Sequence, residues 1–215
     1  MQVKGESMAR PARLPKAVQA DQTTRKLLAI ARARFAEHGY AGTGTEDLVQ
    51  AAGLTRGALY HHFGSKEGLF RAVVDDVQRE VGERVEAAAA RAAGERASLW
   101  DQFVAGCRAF LAASLDPQVQ RIMLVDAPAV LGWDVWREMD SQYSLRSLKD
   151  VLAALSEEGV IASRSTDAVA HLLSGAMNEA ALWIARAPSP KRALAEATAA
   201  LELLLGALLV PRARR

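Results

Sequence analysis

Apolar positions along this chain recur every three or four residues, and the breaks between them fall at glycine, proline and small hydroxyl residues. Leu27, Leu28, Ala31 and Phe35 share one helical face. Their spacing predicts a first helix that starts near Asp21 or Thr23, either able to cap it, and runs to His38, where Gly39 stops it. Leu48, Val49 and Ala52 predict a second helix over about 45–52, ended by Gly53. Thr55 can cap a short third helix through His62, closed by Gly64, and Ser65 caps a longer one reaching about Arg91. Five more helices follow, over about 97–115, from Pro117 to before Pro128, over 133–158 until Gly159, and over 166–187 and 190–209 on either side of the Pro188–Pro190 turn. No solenoid repeat is visible.

The expected fold is therefore all-α with about nine helices. Composition agrees: alanine and leucine dominate, β-branched runs are nearly absent, and half of the 215 residues are apolar. The single cysteine, Cys107, rules out an intrachain disulfide framework and a cysteine metal cluster. Residues 1–22, with Lys4, Arg10, Pro11, Arg13, Pro15 and Lys16, read as a flexible basic arm, and the tail after Pro211 as a frayed end. The start is polar and unlike a signal peptide. The longest apolar stretch, Ala199–Val210, is short and carries Glu202, so no membrane partner is expected and the cytoplasm is the expected location.

Charge changes the picture once it is divided. Residues 1–70 hold ten Lys/Arg against six Asp/Glu, whereas residues 71–215 hold seventeen against nineteen. A basic N-terminal third fits a polyanion, although a solvated basic face would look much the same. The pattern at 45–64, an eight-residue helix, a glycine turn and a second short helix, has the spacing of a helix-turn-helix. Leu54, Leu59 and Phe63 are spaced to bury one side of its second helix. Thr55, Arg56, Gly57, Tyr60 and His61 then face outward, suited to the major groove of double-stranded DNA. Arg56 can reach guanine edges or a phosphate, Gly57 lets the helix sit close, and Tyr60 and His61 can touch phosphates or a thymine methyl. Thr45 at a helix N-terminus and Lys66 beyond the motif are expected phosphate anchors, and His62 is part core, part phosphate contact. The His61–His62 pair is a poor metal site because adjacent helical residues diverge by about 100°.

The run from Ala51 to Phe70, AAGLTRGALYHHFGSKEGLF, together with ARARFAEHGY at 31–40, resembles the tetracycline-repressor (TetR/AcrR) family. The resemblance covers about residues 23–75. Glu46 departs from it, since the family often carries a hydroxyl or basic residue there. It implies a DNA-binding domain over 23–82, and over 83–215 a helical domain that binds a small-molecule effector and dimerises. No cofactor is implied.

The residues beyond 82 point the same way. The last two helices are apolar on more than one face, as expected of helices covered by a partner chain, and a homodimer through them would suit a palindromic operator. Phe103, Cys107, Phe110, Trp133, Trp136, Tyr143, His171, Asn178, Glu179 and Trp183 are candidate effector-binding residues, with core packing the alternative for each. Glu179 shares a helical face with Leu172, Gly175 and Trp183, so a buried carboxylate needing a ligand or an arginine partner is expected. The expected function is a repressor released from its operator when an effector moves the helix that starts at Ser65. The alternatives are a DNA-binding module without a sensor and, more remotely, an enzyme. For the enzyme no phosphate loop, nucleophile elbow or metal-spaced helix is found.

Overall fold

The structure, a computed structural model, describes residues 16–94, 98–163 and 165–210. Helix α1 (Lys16–His38), α2 (Thr45–Ala52) and α3 (Arg56–Phe63) form a small N-terminal unit against the first half of α4 (Lys66–Ala92). Each is amphipathic in the way its spacing dictates. Leu27, Ala31 and Phe35 of α1, Leu48 and Ala52 of α2, Leu59 of α3, and Leu69, Phe70, Val73 and Val74 of α4 are all fully buried. The Phe70 ring meets Phe35 edge-on at 5.1 Å and Tyr40 at 4.9 Å. Helix α1 begins at Lys16, before the expected start at Asp21 or Thr23, because nothing from Ala17 to Gln22 breaks a helix. The expected flexible arm is thus helical over residues 16–22; its residues 1–15, and the tail from 211, lie outside the described residues.

Helix α4 runs unbroken for 27 residues, past residues 82–83 where the two expected domains divide, with Val77 and Val81 buried just before that point. Helix α5 (Leu99–Ala113) folds back along it, starting from a reciprocal cap in which Asp101 N–H donates to Ser98 Oγ and Ser98 N–H to Asp101 Oδ2. Gly106 permits this close approach, since a Cβ there would lie 3.3 Å from Val85 Cγ1. A π-helical segment, Val119–Asp126, comes next and continues directly into α6 (Ala127–Leu131). The expected stop before Pro128 does not occur, because Pro128 sits in the first turn of α6, where a missing N–H does little harm.

The helix expected over 133–158 is two helices, α7 (Trp133–Ser141) and α8 (Ser144–Glu157). Between them Tyr143 leaves helical geometry (φ −119°, ψ −93°), and its hydroxyl donates to Asp75 Oδ1 of α4 at 2.9 Å. Helices α9 (Thr166–Arg186) and α10 (Pro190–Gly206) complete the fold, giving ten α-helices among the described residues rather than about nine. The last described residues are tied down by Val210 N–H donating to Val160 O at 3.0 Å.

Phe70 is fully buried against the rings of Phe35 and Tyr40 in the N-terminal core. Phe70→Ala is expected to lower unfolding free energy by about 3–5 kcal/mol, read from urea denaturation.

Candidate DNA interface and effector cavity

Helix α2 starts after Gly44, whose N–H donates to Asp47 Oδ2 at 3.2 Å, and Thr45 is its half-buried first residue. It ends at Gly53, which adopts φ +62° and so turns the chain without Cβ strain. Thr55 caps α3 by accepting from Ala58 N–H at 3.2 Å. Leu59 points fully inward, with Leu54 and Phe63 half-buried beside it. Thr55, Arg56, Gly57, Tyr60 and His61 are all exposed, as expected. A Cβ at Gly57 would meet nothing nearer than Thr55 Oγ1 at 3.7 Å, so the protein's own packing does not require glycine there.

Charged groups on this surface are already arranged. Arg56 Nη1 lies 3.0 Å from Glu46 Oε1, and its guanidinium stands 6.0 Å from the centre of the Tyr60 ring. Tyr60 and then Glu46 hold the guanidinium even more firmly protonated than usual. Glu46, the departure from the family pattern, therefore orients the one arginine of α3. His62 Nδ1 lies 3.3 Å from Thr24 Oγ1 on α1, which fits its expected mixed position. Among the described residues no group of three or more His, Cys, Asp or Glu is arranged for a metal ion.

Lys66 differs from the expected free phosphate anchor. Its ammonium donates to Tyr40 O and Thr43 O, both at 2.9 Å, and lies 4.0 Å from the centre of the Tyr40 ring. The α1–α2 connection bends so that two carbonyls converge on the start of α4, and Lys66 fastens them there. Nothing in the spacing of the sequence signals those carbonyls.

A cavity of about 220 Å³ opens between α4, α5 and α8, with Met177 of α9 at its side. It gathers Phe103, Cys107 and Phe110, which share one face of α5. Burial pushes the Cys107 thiol up to about 12, so it is a neutral wall group. The remaining lining includes Val85 and Glu86 of α4, Gln102 of α5, and Ser144, Ser147 and Leu148 of α8, which the sequence reading did not single out.

The other candidates lie elsewhere. Trp133 is 63% exposed; Trp136 is buried, its ring tilted against that of Trp133 at 5.1 Å, and donates its indole N–H to Met123 O at 3.0 Å. Tyr143 borders a separate cleft, and His171 is exposed beside Asp167. Asn178 is buried, with no partner for Oδ1 among the described residues, and does not line the cavity. Glu179 is not a buried carboxylate. It is exposed, and with Trp183 it borders a groove between α9 and α10, because the inward face of α9 is Leu173, Ser174, Met177 and Ala181. That outer surface carries Leu172, Trp183, Leu203 and Leu204 into solvent, at 75%, 47%, 79% and 59% exposure.

Two family descriptions match the chain. Residues 27–73 match the bacterial regulatory proteins of the tetR family, and residues 100–208 match the tetracyclin repressor-like C-terminal domain. A solved TetR-family transcriptional regulator from Pectobacterium atrosepticum is 42% identical, with 92% of this chain and 99% of that one covered and a TM-score of 0.76. The fatty acid degradation regulator FadR from Bacillus halodurans shares the fold, at 18% identity, with 89% and 97% covered and a TM-score of 0.68. The transcriptional repressor AcnR of Corynebacterium efficiens is 45% identical over 60 residues, 28% of this chain; the match spans about a third, 32%, of AcnR.

The clamp at Lys66 has a measurable consequence. Lys66→Met removes two charge-assisted hydrogen bonds and is expected to lower unfolding free energy by about 1–3 kcal/mol in urea, alongside any loss of DNA binding. An unchanged midpoint with weakened DNA binding would return Lys66 to the role of phosphate anchor.

Proposed function

The chain belongs to the tetracycline-repressor family of bacterial regulatory proteins, and on that premise we propose that it is a homodimeric repressor whose grip on a palindromic operator is loosened by a small apolar effector. The observation that carries this reading is the two-sidedness of α3. Its inner side is sealed by Leu59, and its outer side offers Arg56, Gly57, Tyr60 and His61, all exposed among the described residues. Arg56 reads a base edge, Gly57 allows the helix into the major groove, and Tyr60 and His61 touch the backbone. Thr45 and the first N–H groups of α2 take a phosphate.

Dimerisation is supported by the bare leucines and tryptophan of α9 and α10. Covering each such side chain contributes on the order of 1–2 kcal/mol, enough together to hold two chains. A two-fold pair of this kind presents two copies of α3 to half-sites one DNA turn apart. The effector reading rests on the cavity, and on α4, which reaches from the Ser65 cap beside α3 to Val85 and Glu86 in the cavity wall. An effector that prefers a different tilt of α4 shifts the spacing of the two reading helices and lowers operator affinity. The cavity favours this over a DNA-binding module without a sensor. Among the described residues no helix is long and apolar enough to cross a membrane. A partner such as operator DNA sets the working location in the cytoplasm.

Selection of bound duplexes from a random pool by the purified protein tests the reading, and an unenriched pool would sink it. Arg56→Ala is expected to lose about 1–3 kcal/mol of discrimination at one position per half-site while keeping the rest of the motif. Leu204→Glu is expected to sediment as a monomer and to bind a full palindrome no better than a half-site.

A further inference from the structure

The effector cavity is one-sided in charge. Among the described residues Glu86 is the only charged one lining it; Phe103, Phe110, Leu148, Met177 and Val151 make its apolar wall, and Gln102, Ser144 and Ser147 supply neutral hydrogen-bonding groups. Among the described residues no lysine, arginine or histidine lines the space. Glu86 is exposed, and among the described residues it makes no ion pair. The cavity also adjoins a polar cleft, because Glu86 and Ser147 border both. That cleft holds Arg79 and Arg146 against Glu83, Glu86 and Asp150, so it too is acidic by one charge. Arg79 is already bonded to Asp76 and Glu83.

From this arrangement we propose that the cavity takes apolar molecules with a cationic or neutral hydrogen-bonding head and rejects anions, with Glu86 at the mouth setting the sign. The inference rests on the reading of the cavity as an effector site. An alkyl or aryl body displaces water from the phenylalanine wall. A hydroxyl head is met by the serines and Gln102. An ammonium head gains the unpaired Glu86 carboxylate as well. A carboxylate head finds no cation among the described lining residues, loses hydration as it enters, and meets Glu86 at the mouth, while the cleft beyond, Arg146 included, is acidic by one charge. The Cys107 thiol, held protonated by burial, adds no charge of its own.

Three probes with one tail and different heads test this: octylamine, octanol and octanoate, titrated calorimetrically into the full chain at neutral pH. Octylamine is expected to bind about threefold more tightly than octanol, the scale of an exposed ion pair. Octanoate is expected to bind at least about tenfold more weakly than octanol. Glu86→Gln should bring octylamine down to the octanol value and leave octanol unchanged, while Ser147→Phe, which narrows the cavity, should weaken all three. Octanoate binding as tightly as octanol, or an amine preference that survives Glu86→Gln, would overturn the proposal while leaving the cavity an effector site. Failure of every probe to bind, or binding indifferent to Ser147→Phe, would overturn the effector-site reading and the proposal with it.

Discussion

Three restraints converge on Tyr40. Its ring packs against both Phe35 and Phe70, its carbonyl accepts from the Lys66 ammonium, and its N–H donates to Asp126 Oδ2 at 2.7 Å. The first belongs to the core of the N-terminal unit, the second fastens the start of α4, and the third reaches the end of the π-helical segment. Asp126 is buried and also accepts from Arg121 Nε at 3.2 Å. Gly39, at φ +70°, lets that arginine lie against the loop, where a Cβ would stand 1.9 Å from its Nη2. Charge-assisted bonds of this kind are among the stronger ones available. The DNA-facing unit is therefore not a bead on a string: it is held to the cavity-bearing half both through α4 and through this loop.

A second set of bonds braces the same junction from the side. Arg32 of α1 reaches Glu80 at 2.6 Å, Asp76 at 3.2 Å and Gln118 at 2.9 Å. Burial pulls the Glu80 carboxyl upward, but Arg32 and Arg84 outweigh it and hold the group below the ordinary carboxylate range. Its sign is clear: a depressed carboxyl contributes stability that is present above its unfolded value and is lost as pH falls through the folded one. A change in the angle between α1 and α4 must strain these bonds together, so tilting favours a few discrete arrangements over a continuum.

What was legible in the sequence depended on where the information lay. Helices α2 and α3 were read almost to the residue because their limits are local: Gly53 takes a positive φ, Thr55 caps, and Leu48, Val49 and Leu59 mark the buried sides. The break at Tyr143 was invisible because a hydrogen bond to Asp75, 68 residues away in the chain, accompanies it in place of glycine or proline. That break also turns Ser144 and Ser147 toward α5, so the polar part of the cavity could not be inferred from a helix read as continuous. Phe103, Cys107 and Phe110 were legible as one face of one helix; Trp133, Trp136 and His171 were chosen for their chemistry alone, and the fold sends them elsewhere. Lys66 is a different case: its place at the start of α4 was legible, and its carbonyl partners were hidden.

Helix α9 lies between the cavity and the exposed apolar surface. Met177 sits at the side of the cavity, whereas Glu179, two residues on and so rotated by about 200°, borders the outer groove with Trp183. One helix thus presents one face to the effector space and the other to the surface where a second chain would pack. A rigid helix between two packed layers moves as a body, because close-packed interiors transmit displacement rather than absorb it. On the proposed reading, occupancy of the cavity would act on two levers at once. Through α4 it would bear on the position of α3, and through α9 on the angle between two subunits. Because both levers would set the separation of the two reading helices, a ligand need favour only a small change in each to alter the fit to a rigid operator spacing.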